Sequence, residues 1–79
     1  MRIPRDLTGK ELINALSKLG YEVTRQSGSH IRLTTSRNGT HHVTIPDHRP
    51  IKVGTLASIL ADIATHHQVT RDELLSQLF

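Results

Sequence analysis

One helix-start signal occurs twice in this chain, near its two ends, and it limits what can lie between. In Leu7-Thr8-Gly9-Lys10-Glu11-Leu12, Thr8 caps a helix, Glu11 closes the capping box and Leu7 staples to Leu12. Val69-Thr70-Arg71-Asp72-Glu73-Leu74 repeats the pattern, with Thr70 as cap, Glu73 closing the box and Val69 stapling to Leu74. After the first signal, Leu12, Ile13, Leu16 and Leu19 share one face at helical spacing, and Gly20 is a natural stop. The last helix is expected to run to about Leu78.

Between these ends the period changes from helical to alternating. Over 21–26, Tyr21 and Val23 point one way, and Glu22, Thr24 and Gln26 the other. Ser27-Gly28-Ser29 reads as a turn. Over 30–35, Ile31, Leu33 and Thr35 alternate with His30, Arg32 and Thr34. Asn38-Gly39 is a hairpin signal, and 41–45 form a third strand with Val43 and Ile45 inward, ended by Pro46. A loop with two prolines follows over 46–51. Leu56, Ile59, Leu60 and Ile63 then mark a second long helix, which His66 and His67 end. The order is α-β-β-β-α-α. It implies an α+β two-layer domain: a three-stranded antiparallel sheet with helices on one face. Residues 1–6 read as a short arm.

At 79 residues the chain is read as a single domain, 1–79. A chain of this size buries only roughly 60–65% of its unfolded surface, so its core is small. It has no cysteine, which excludes a disulfide, a thiol nucleophile and a cysteine zinc site. No window approaches the ~18 apolar residues of a membrane span, and no apolar leader is evident. A soluble cytoplasmic protein without membrane contact is expected.

Charge is unevenly placed. The net of +3 conceals a middle third, Arg25 to Lys52, in which Arg25, Arg32, Arg37, Arg49 and Lys52 face one acid, Asp47. His30, His41, His42 and His48 lie in the same stretch. That pattern suits a polyanion and acid–base chemistry on it.

Gly28-Ser29-His30 is the candidate centre. His30 can exchange a proton near neutral pH, or it can be a surface histidine at a strand start. The Gly28–Ser29 turn can hold a phosphate oxygen through backbone N–H groups and the Ser29 hydroxyl, or be an ordinary hairpin turn. His48, Arg49 and Lys52 precede the second long helix, where a helix N-terminus favours phosphate. Lys52 and Arg49 would hold a phosphate backbone, with His48 a second proton-transfer group or an orienting donor, or the stretch is a polar loop between two prolines. His41 and His42, adjacent on a strand, point to opposite faces, so both cannot easily ligate one metal. No metal site is expected.

The element order is that of double-stranded-RNA-binding domains. More specifically, the chain resembles the HicA (YcfA-like) family of small toxins from about Leu7 to Phe79. The resemblance rests on Gly20-Tyr21, Gly28-Ser29-His30, Ile45-Pro46-Asp47-His48 and Lys52-Val53-Gly54-Thr55-Leu56 leading into Ile59-Leu60. It implies an mRNA interferase of a type II toxin–antitoxin pair. Such a protein has a fold similar to a double-stranded-RNA-binding domain and cleaves mRNA with no required metal or other cofactor. It also implies a HicB-type antitoxin that covers the active site, and it makes His30 the catalytic residue. Two other readings stay open from the residues alone: a small RNA-binding module without chemistry, and an interaction subunit whose basic face docks an acidic partner.

Overall fold

The computed structural model describes residues 2–79, so the Met1 end of the expected arm lies outside the described residues. Both capping boxes form. Helix α1 (Gly9–Leu16) starts where the Glu11 amide donates to the Thr8 hydroxyl at 3.1 Å and the Thr8 amide donates to the Glu11 carboxylate at 3.0 Å. These bonds hold both capping carboxylates, Glu11 and Glu73, below the ordinary value of 4.5, the backbone donors contributing most. A short 3-10 turn (Ser17–Leu19) extends α1, and Gly20 closes it in the left-handed region.

Strands β1 (Glu22–Ser27), β2 (His30–Thr35) and β3 (His41–Pro46) form an antiparallel sheet in the order β1-β2-β3. Helices α2 (Val53–His67) and α3 (Arg71–Leu78) follow. The α+β architecture and the element order are those expected from the sequence. Ile31, Leu33, Val43 and Ile45 are buried on one face of the sheet, with Leu12 and Leu16 of α1, Leu56, Leu60 and Ile63 of α2, and Leu74, Leu75 and Leu78 of α3. Ile13, Ile59 and Val69 pack at the margin of this core. Phe79 stays about half exposed.

Strand β1 departs from its expected alternation. Tyr21 is buried and lies just outside the strand, whereas Val23 is 52% exposed, and every residue of β1 is exposed. The strand is the sheet edge, so Val23 shares a face with Leu33 but stays about half exposed. The register also shifts between Val23 and Arg25, leaving Thr24 as the extra residue of a β-bulge. Past the bulge, Arg25 stands opposite Arg32 and Gln26 opposite Ile31. Gln26 therefore shares a face with Val23, not with Glu22 and Thr24 as strict alternation requires. The bulge counts two residues against one, which reverses the parity of everything after it.

Candidate functional site

The turn between β1 and β2 consists of Gly28 and Ser29, with Ser27 and His30 paired across it. Gly28 has φ of +59° and nothing within 4 Å of a Cβ placed on it, so the position requires glycine for its backbone angle, not for room. His30 is the first residue of β2, exposed, on the face of the sheet away from the helices. Its side chain makes no hydrogen bond or ion pair among the described residues. The imidazole is therefore free to meet a ligand.

Three backbone hydrogen bonds gather other elements behind this turn. The Asp47 amide donates to the Ser29 carbonyl at 2.7 Å, the Gly9 amide to the His48 carbonyl at 3.0 Å, and the Ile51 amide to the Leu7 carbonyl at 2.8 Å. His30 lies opposite Pro46 in register. One corner thus holds the Gly28–His30 turn, the start of the β3–α2 loop and the N-terminus of α1. His48, Arg49 and Lys52 are all exposed on that loop. Lys52 is the N-cap of α2, which has no side-chain cap, so its first backbone N–H groups remain available to an anion. No hydrogen bond or ion pair links Arg49 or Lys52 to the Gly28–His30 turn among the described residues.

Two features of this corner are absent from the sequence reading. Gly9 is buried in the first turn of α1, and an added methyl there would meet the Pro46 carbonyl oxygen. Asp47, the single acid of the basic middle third, has a buried Oδ1 with no hydrogen-bond partner among the described residues. Its position among basic residues was the one available signal.

The remaining histidines divide by face. His42 is exposed on the open face, where its Nδ1 meets the Thr34 hydroxyl at 2.8 Å. His41 points the other way, as expected for its neighbour. It joins a cluster at the opposite end of the sheet from His30 with His66, His67 and Tyr21. His66 and His67 do end α2, but they also anchor the β2–β3 loop. With the Asn38 amide donating to His67 Nδ1, the protons order in one direction. His67 Nε2–H donates to the Tyr21 hydroxyl at 2.9 Å, that hydroxyl donates to His41 Nδ1 at 2.8 Å, and His41 Nε2–H donates to Asp62 at 3.3 Å. His66 Nε2–H donates to the Arg37 and Gly39 carbonyls at 3.0 and 3.1 Å, and its ring stacks on His41 with centroids 4.3 Å apart. Burial, helped by the Asp62 charge, pushes the Tyr21 hydroxyl up to about 12. Among the described residues, no three His, Cys, Asp or Glu side chains are grouped to hold a metal ion.

This cluster has a consequence for stability against pH. Burial, then the neighbouring His66, His41 and Arg37, hold His67 below the ordinary imidazole value of 6.5. Unfolding restores the ordinary value, so the unfolded chain binds the proton first. The contribution is complete above pH ~6.5 and is lost as pH falls from there through the folded value. Urea unfolding from neutral to acid pH is expected to show a shallower acid-side decline in His67→Gln than in the parent. Equal slopes would remove His67 from the account.

No described helix is long and apolar enough to cross a membrane. A family model described as HicA toxin of bacterial toxin-antitoxin matches residues 9–64, from the start of α1 through the sheet and into α2. No curated protein and no solved structure matches the chain.

Proposed function

The chain belongs to the HicA toxin family of bacterial toxin–antitoxin systems, and from that premise we propose that it is a metal-independent endoribonuclease that cleaves mRNA with His30. The observation that carries the reading is the exposed, unpartnered His30 imidazole beside a turn braced by the β3–α2 loop. The imidazole takes the proton from an RNA 2′-hydroxyl. The alkoxide attacks the adjacent phosphorus, and the bond to the 5′-oxygen breaks. Atoms balance when that oxygen receives a proton, leaving a 2′,3′-cyclic phosphate and a 5′-hydroxyl. His48, the second imidazole of the corner, is the proposed donor of that proton. The Gly28–Ser29 turn, Lys52 and Arg49 hold phosphate oxygens, aided by the uncapped start of α2.

As a toxin of a toxin–antitoxin system, the protein has an antitoxin partner. We take that partner to be a HicB-type protein that covers His30 and the loop behind it. Occlusion of an exposed imidazole is a sufficient means of inhibition, because RNA must reach the same atom.

The test is incubation of a defined single-stranded RNA with purified protein in EDTA, followed by analysis of the ends. Fragments with cyclic phosphate and 5′-hydroxyl ends are expected. Intact RNA that nevertheless stays bound would leave only a binding module. Binding itself should be mostly electrostatic. Each phosphate held adds about −0.7 to the slope of log K against log salt for a single strand. A salt titration with no slope would exclude phosphate as the main contact.

A further inference from the structure

The face of the sheet away from the helices is open, and its residues fall into three rows across the strands. Ser27, His30 and Pro46 form the row nearest the turn. Arg25, Arg32 and Thr44 form the next. In the third, the Thr24 hydroxyl meets the Thr34 hydroxyl at 2.8 Å, and Thr34 meets His42 Nδ1 at 2.8 Å. Rows lie two strand residues apart, about 6–7 Å, comparable to the step between neighbouring phosphates in a single strand.

The middle row is unfavourable in the free protein. Arg25 and Arg32 are direct cross-strand partners, and like charges so placed repel. Neither has an ion pair among the described residues. They share this face only because the bulge at Thr24 turns Arg25 toward it. Glu22 is the one acid on this face of the strands, in the third row opposite Thr34. Pro46 is buried, and among the described residues the exposed part of the face has no apolar side chain, so beyond the His30 row it lacks the apolar centre that a protein partner would use. Among the described residues it also has no Phe, Tyr or Trp ring for base stacking.

We propose that this open face is a track for single-stranded RNA leaving His30. Arg25 and Arg32 together grip the phosphate next to the one cleaved, and His42 with Thr34 meets the phosphate after it. The inference rests on the ribonuclease reading and extends it. Charge complementarity identifies the occupant: two opposed guanidinium groups form a site for an anion placed between them. It also gives a direction to the bound strand, along β2 from His30 toward Thr34.

The test uses 2′-O-methyl RNA, which lacks the nucleophile and stays intact. Fluorescence anisotropy is measured for a dinucleotide and an octanucleotide against the parent, Arg25→Ala, Arg32→Ala and, as a charge-matched control on α3, Arg71→Ala. Each of Arg25→Ala and Arg32→Ala is expected to weaken octanucleotide binding about five- to tenfold at low salt and to flatten the salt slope by about 0.7. Arg71→Ala should leave octanucleotide binding near that of the parent. The dinucleotide, too short to span the rows, should lose much less. Thermal unfolding should show Arg25→Ala at least as stable as the parent, since a repulsion is relieved, which separates lost contact from lost fold. If both arginine variants bind the octanucleotide as Arg71→Ala does, the track is wrong while the ribonuclease reading stands. If the parent binds no oligonucleotide, both fall together.

Discussion

Replacing His30 with alanine is expected to abolish RNA cleavage while leaving the fold and most RNA affinity intact. The side chain is exposed and makes no hydrogen bond among the described residues, so its removal should change stability by no more than about 0.5 kcal/mol. Positioned acid–base groups contribute about 10²- to 10⁴-fold to rate, and the lower end of that range already reduces a slow nuclease below detection. Affinity should persist because the phosphate contacts come from other residues. The measurement is cleavage of a defined RNA by parent and variant in EDTA, with thermal unfolding and anisotropy on the same samples. Equal cutting by both proteins would remove His30 from the mechanism and point to a contaminant or to another group.

The second large effect is expected at Gly9, for reasons of space. Its φ is ordinary, but a Cβ would meet the Pro46 carbonyl oxygen, with the Asp47 Cα at 3.1 Å and the Pro46 carbonyl carbon at 3.2 Å. All three are backbone atoms and cannot swing aside. The Gly9 amide also donates to the His48 carbonyl. Gly9→Ala therefore forces α1 away from the loop behind His30, at a cost of about 1–3 kcal/mol. Gly54→Ala is the natural contrast. That glycine lies in the first turn of α2 with nothing within 4 Å, so alanine there should be neutral or stabilising by up to about 1 kcal/mol. Chemical denaturation of the two variants decides the matter. A Gly9→Ala protein as stable as the parent would mean that α1 and the loop are not in rigid contact. If it is destabilised as expected, cleavage should fall too, because the same loop supports the turn.

The two glycines show why one reading of the site was possible from sequence and the other was not. Gly28 announces itself through its neighbours: a turn between alternating runs requires a residue that accepts positive φ. Gly9 sits inside a well-formed helix signal, and its reason is a β-strand end 37 residues away. Asp47 is similar. The burial of its Oδ1, unpartnered among the described residues, depends on how the loop lies against α1 and the Ser29 turn. The histidines divide the same way. That His41 and His42 face opposite sides follows from strand geometry alone. That His41 stacks on His66 and shares the Tyr21 hydroxyl with His67 depends on where the end of α2 lands.

Local chemistry therefore determined the elements of this protein. Capping boxes at Thr8 and Thr70, alternation through β2 and β3, and glycine at the Gly28 turn each act within a few residues, and each formed as read. Tertiary structure decided what the elements face. Helices cover β2 and β3 but not β1, so Val23 is exposed although its alternation is that of a buried residue. The bulge at Thr24 moved Arg25 to the open face beside Arg32, and no residue of β1 taken alone signals it. Register is a property of two strands, and cover is a property of two layers. Neither is encoded in a single run of residues, and the proposed RNA track depends on both.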